Sequence, residues 1–220
     1  MKKNILKILF PVMAILTISG GALAQDEVVV NNEMQQRIEF KASFKPIKNL
    51  KLSLNPELRF DESFSLDKYH IEGMAEYKVL DFMSVSAAYR FIVNPRDGKT
   101  TEYFNRYALG LEFQHKIERF KPNLLIRYTN YADDEISDKQ FIRYKASVDY
   151  NIRKCKITPF AEAEAFQDLT TNSLYKMRYA LGADYKIMKN NYVGVAYKLD
   201  YYLQEYTNKH IFNVSYKIKF

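Results

Sequence analysis

From Leu50 onward the chain alternates apolar and polar residues with a period of two. Leu50, Leu52, Leu54, Leu58 and Phe60 are apolar, while Lys51, Ser53, Asn55, Glu57 and Arg59 stand between them. After a short connection the parity changes: Tyr69, Ile71, Ala75, Tyr77 and Val79 oppose Lys68, His70, Glu72, Glu76 and Lys78. The chain closes in the same way, with Phe212, Val214, Tyr216, Ile218 and Phe220 against Asn213, Ser215, Lys217 and Lys219. Such alternation is a strand signal; on a helix the two sets would mix on every side. It predicts strands near 33–45, 50–60, 68–79, 82–93, 102–117, 120–130, 140–152, 157–166, 174–187, 192–203 and 209–220.

The connections alternate too. Short ones fall near 46–49, 79–81, 117–120, 153–156 and 188–191. Longer polar ones fall near 61–67, 94–102, 130–139, 167–173 and 204–209. Short periplasmic turns and longer outside loops are the rhythm of outer-membrane barrels. The expected fold class is therefore all-β: a transmembrane, antiparallel, up-and-down β-barrel of about twelve strands, with ten as the alternative. The twelfth strand is sought in EVVV, Glu27 to Val30, because the loop rhythm starts the 33–45 strand outside and an even count needs one strand before it.

Composition changes this picture at the N-terminus. Lys2, Lys3 and Lys7 precede the apolar run ILFPVMAILTISG, and Ala22 to Ala24 supply small residues for cleavage. Residues 1–24 read as a signal peptide, since that run is shorter than the roughly 20 residues of a spanning helix. Residues 25–220 are then one outer-membrane β-barrel domain. Removing the signal lowers the formal charge from +7 to +4, which gives no argument for nucleic acid. Cys155 is the single cysteine, so no internal disulfide forms. The 18 Tyr and 15 Phe suit strands and interfacial girdles.

The alternation sends charged residues of both signs into the lumen. Arg59, His70, Glu72, Glu76, Arg90, Arg106, Glu112, Arg127, Arg143, Asp149, Arg178 and Asp184 are the expected lumen network, and withdrawal from bulk water favours their pairing. No catalytic, cofactor-binding or metal site is assigned. His70 beside Ser63 or Ser65 and Asp61 or Asp67 is the place where a hydrolase would be sought, but these are ordinary loop residues around a polar-face histidine. Glu162 and Glu164 match a glycosidase pair only in residue type. The acidic loop around Asp133 to Asp138 lacks the ligand spacing of a calcium hand. Tyr216 and Phe220, on the apolar face of the last strand, are the expected assembly signal.

The run from Leu50 to Phe91 resembles the bacterial outer-membrane barrels of domain of unknown function 2490. ELRF at 57–60, EYK at 76–78 and AYRF at 88–91 carry the resemblance, and the tyrosine-rich later strands and Phe220 extend it. It implies a secreted precursor, a monomeric barrel and an outer-membrane location, and it brings no substrate. The partners expected are outer-membrane lipids and, during biogenesis, the barrel assembly machinery. The function expected is non-enzymatic: structural, or passage of small polar solutes through a charged lumen. The alternative is a barrel enzyme acting on lipid or envelope substrates.

Overall fold

A computed structural model of the protein describes residues 31–220, except 97, 131–138 and 204–206. The proposed signal peptide, the Glu27–Val30 segment and the acidic loop from Asp133 to Asp138 lie outside the described residues. Eleven strands follow one another: β1 (Asn31–Ile47), β2 (Leu50–Phe60), β3 (Leu66–Leu80), β4 (Met83–Asn94), β5 (Glu102–Gln114), β6 (Phe120–Thr129), β7 (Phe141–Tyr150), β8 (Ile157–Asp168), β9 (Ser173–Met188), β10 (Asn191–Tyr202) and β11 (Thr207–Lys219). Each lies beside its sequence neighbours, and β1 pairs with β11 to close a barrel.

The closure corrects the expected strand number. Among the described residues there are eleven strands, neither twelve nor ten, and the sheet is mixed. Ten pairings are antiparallel hairpins, whereas β1 and β11 run parallel, in register from Asn31↔Thr207 to Ser43↔Lys219. An odd count of up-and-down strands leaves the first and last pointing the same way, so they can only pair in parallel. Because β11 is paired along its length on both sides, with β10 and with β1, the ring needs no further strand.

The short turns are tight. Asn49 and Asn190 adopt positive φ, 71° and 65°, a conformation that asparagine tolerates and that two-residue hairpins require. Lys154 does the same in the β7–β8 turn, at 59°.

The outer face is an apolar belt. Ile38, Leu54, Leu109, Leu181, Val195 and Val214 stand exposed at mid-height, Leu181 at 64 %. Aromatic residues flank them: Tyr89, Tyr103, Tyr107 and Tyr201 toward the long loops, Tyr77, Phe82, Phe120, Tyr185 and Phe220 toward the short turns. An aliphatic band between two aromatic girdles matches hydrocarbon between two headgroup layers. In lipid the backbone must be satisfied within the protein, which the closed ring achieves.

Candidate functional site

The lumen is where side chains converge. Of the twelve network residues, Arg59, His70, Glu72, Arg106, Arg143 and Arg178 are buried, and the partners that these residues and their neighbours meet divide the interior into two tiers.

In the tier toward the long loops the charges are packed together. Glu57 on β2 accepts from Arg59 Nε at 2.5 Å, with Arg37 Nη1 at 3.7 Å and His70 Nε2 at 3.9 Å. Arg90 on β4 holds Glu72 on the neighbouring strand, Nη2 to Oε2 at 2.7 Å. Arg143 donates to Glu164 Oε1 from Nε at 3.0 Å. Arg106, buried on β5, has its guanidinium 5.3 Å from the centre of the Phe104 ring. Arg127 reaches across to Met74, Nη2 to Sδ at 3.6 Å.

The deepest group is on β9 and β10. Arg178 grips Asp200 with two parallel bonds, Nε to Oδ1 at 2.5 Å and Nη2 to Oδ2 at 2.6 Å, while Lys176 Nζ donates to the same Oδ2 at 3.0 Å and to Tyr202 Oη at 3.3 Å. Lys176 and Asp200 are wholly buried. Phe166 completes the group. Arg143, Lys176 and Arg178 lie 4.5, 4.7 and 5.4 Å from its ring centre, so one ring serves three cations. Phe141, Tyr175 and Tyr202 pack alongside, with Tyr175 centred 5.5 Å from each of the other two.

Toward the short turns the lumen opens. Lys217 Nζ donates to both oxygens of Asp184 at 2.8 Å, Lys51 pairs with Glu76, and Glu112 accepts from Asn123 Nδ2 at 2.7 Å. Asp149 faces Lys121 across the β6–β7 register. A chamber of about 810 Å³ lies here. Above it a smaller cavity of about 200 Å³, lined by Glu57, His70, Glu72 and Arg90, shares Lys41 and Lys217 with it. On the rim, the hydrogen bond from Lys78 Nζ to Asp81 at 2.7 Å, then its charge, hold the Asp81 carboxyl below its usual range.

The hydrolase constellation is not drawn together. Asp61 accepts from the backbone N–H groups of Ser63 and Ser65, at 2.9 Å each, and so caps its own loop, while His70 faces Glu57. Glu164 is tied to Arg143, and Glu162 has Lys145 at 3.8 Å. Among the described residues no group of three or more His, Cys, Asp or Glu is arranged to hold a metal ion.

The alternation breaks on β9. Tyr175 has the parity of the lipid side, yet it is only 1 % exposed. The β8–β9 register shifts between Phe166 and Gln167, and such a bulge re-aims a side chain. The aromatic packing of Phe141, Phe166 and Tyr202 also went unforeseen. Its signal was present: Phe141 shares parity with Arg143, and Tyr202 with Asp200.

An apolar belt outside and a charged interior define an outer-membrane β-barrel. The chain belongs to the family described as protein of unknown function (DUF2490), whose model matches residues 24–210. Among solved structures it is similar to the KdgM porin in complex with disordered oligogalacturonate, at 17 % identity and a TM-score of 0.49, covering 76 % of this chain and 87 % of that one. No curated protein matches the chain.

Proposed function

We propose that the protein is a non-enzymatic outer-membrane barrel whose lumen is occluded in its outer half and open only to the periplasm. The observation that carries this is the burial of the outer tier. Arg37, Arg59, Arg106, Phe166, Lys176 and Asp200 are each 5 % exposed or less, and they line the interior at the long-loop end. Barrels of about eight strands are filled by their side chains and those of about sixteen leave a channel; eleven strands need large, paired side chains to fill the interior. Arginine–carboxylate forks serve this purpose, being bulky, planar and mutually satisfied.

In this reading residues 1–24 direct export and are removed, and residues 25–220 insert as a monomer. The assembly machinery engages the last strand through Tyr216 and Phe220. The lumen pairs stiffen the wall and exclude water.

Planar-bilayer recording tests the reading. The folded protein should insert without a steady single-channel current. A stable open channel of porin size in the unmodified protein would overturn occlusion.

A further inference from the structure

The chamber at the short-turn end is lined by eight lysines and four carboxylates. Three of the acids are neutralised there by lysine: Glu76 by Lys51, Asp81 by Lys78 and Asp184 by Lys217. The fourth, Glu112, accepts from Asn123. Five lysines then remain, Lys41, Lys45, Lys48, Lys121 and Lys219, with no carboxylate within 4.0 Å among the described residues. Lys219 rests on the Tyr192 ring, 4.6 Å from its centre. Lys41 shares the chamber with Lys51 and Lys217, and it also borders the smaller cavity above, which Glu72 lines.

This arrangement differs in kind from the outer tier, where every carboxylate named above has a cation and arginine predominates. A concave site with an excess of one sign, set in a low-dielectric wall, focuses its field on whatever enters. Lysine offers compact point charges, so the site does not demand the planar match that an arginine fork imposes.

We propose that this chamber is a binding site for small multivalent oxyanions, carboxylates or phosphates, taken up from the periplasmic side. The proposal relies on the occluded-barrel reading only for the side from which the anion arrives. Binding itself is tested on folded protein in neutral detergent, where orientation has no role and conductance is not measured.

The probe is tripolyphosphate, with citrate as the carboxylate arm, titrated by calorimetry at low salt. The unmodified barrel should bind at a defined stoichiometry. Replacing Lys41, Lys121 and Lys219 together by glutamine should weaken binding by about tenfold or more, since each supplied a charge-assisted contact. The matched control replaces Lys154, Lys156 and Lys189, which lie in turns at the same end and do not line the chamber; its affinity should stay within about twofold, the change expected of screened distant charge. Heat-dependent gel mobility confirms that each variant is folded. Absence of binding by the unmodified protein, or equal weakening in the two triple variants, would overturn the site. A repeat in phosphatidylglycerol and phosphatidylcholine nanodiscs separates sources: equal affinity supports a soluble anion, while binding lost only in phosphatidylglycerol assigns the lysines to lipid headgroups and overturns the proposal.

Discussion

Replacing Asp200 by asparagine is the sharpest probe of the occluded tier. Asp200 is completely buried and receives Lys176 and both nitrogens of the Arg178 fork. Asparagine keeps the volume but removes the charge, so two cations, one of them wholly buried, lose the carboxylate they share. Breaking a buried ion pair from one side costs about 3–5 kcal/mol, because the remaining charge stays desolvated. With a urea slope of about 2–3 kcal/mol per molar, the unfolding midpoint should fall by more than about 1 M. The chain has no tryptophan, so unfolding is followed by circular dichroism and by the heat-dependent gel shift. A companion variant replaces all three charges, Lys176→Met, Arg178→Met and Asp200→Leu. It should be more stable than Asp200→Asn alone, since no unpaired charge is left. A loss below about 1 kcal/mol for Asp200→Asn, in the range of exposed pairs, would mean that water reaches the cluster, and the argument for occlusion would fail.

Three other outcomes follow from the faces of the wall. Deleting Phe220, or replacing both Tyr216 and Phe220 with polar residues, should lower inserted yield far more than replacing Ser215 and Lys217; equal yields on heat-modifiable gels would refute the role given to the aromatic pair, of which Tyr216 also stacks on Phe40 at 5.6 Å. Gly182→Ala should destabilise by about 1–3 kcal/mol in urea titration, because its Cβ would come within 2.5 Å of the Val195 carbonyl oxygen and 2.6 Å of the Phe160 ring; an unchanged midpoint would show that the wall gives way there. Arg90→Gln should lower the midpoint by more than Lys78→Gln, since Glu72 is buried and Asp81 is fully exposed to solvent; the reverse order would contradict the assignment of interior and rim.

The strands and their faces were legible because a period of two allocates each side chain to lipid or lumen without knowledge of its neighbours. Arg59, Arg90 and Arg178 could be placed inside on that ground alone. Which cation meets which anion was not legible. Arg90 and Glu72 are directly opposed across one hairpin, but Arg143 reaches Glu164 diagonally, its own register partner being Phe166. Lys198 pairs with Glu39, 159 positions away and on β1, a contact that exists only because the ring closes. The strand number failed for the same reason. Alternation describes each strand by itself, whereas closure depends on whether the two end strands can share a register. Tyr175 escapes the alternation because a one-residue shift reverses the side to which a residue points.

The parallel β1–β11 pairing has a consequence for how the wall holds together. Every other pairing in the ring is enforced by a connection between consecutive strands, which fixes its register at once. This seam joins residues 176 positions apart, and no turn dictates its alignment. Closing a free loop of that length costs about 5 kcal/mol in chain entropy, and parallel bonding returns slightly less per residue than antiparallel. The seam is therefore the natural last step of assembly and the place where the sheet would first unzip. Its side chains are arranged accordingly: Glu33 meets Lys209 across it at 3.3 Å, and Glu39 reaches past β11 to Lys198 on β10. Like a rivet through overlapping plates, that second contact ties the first strand to the last but one, so β11 cannot slide along β1 without breaking it.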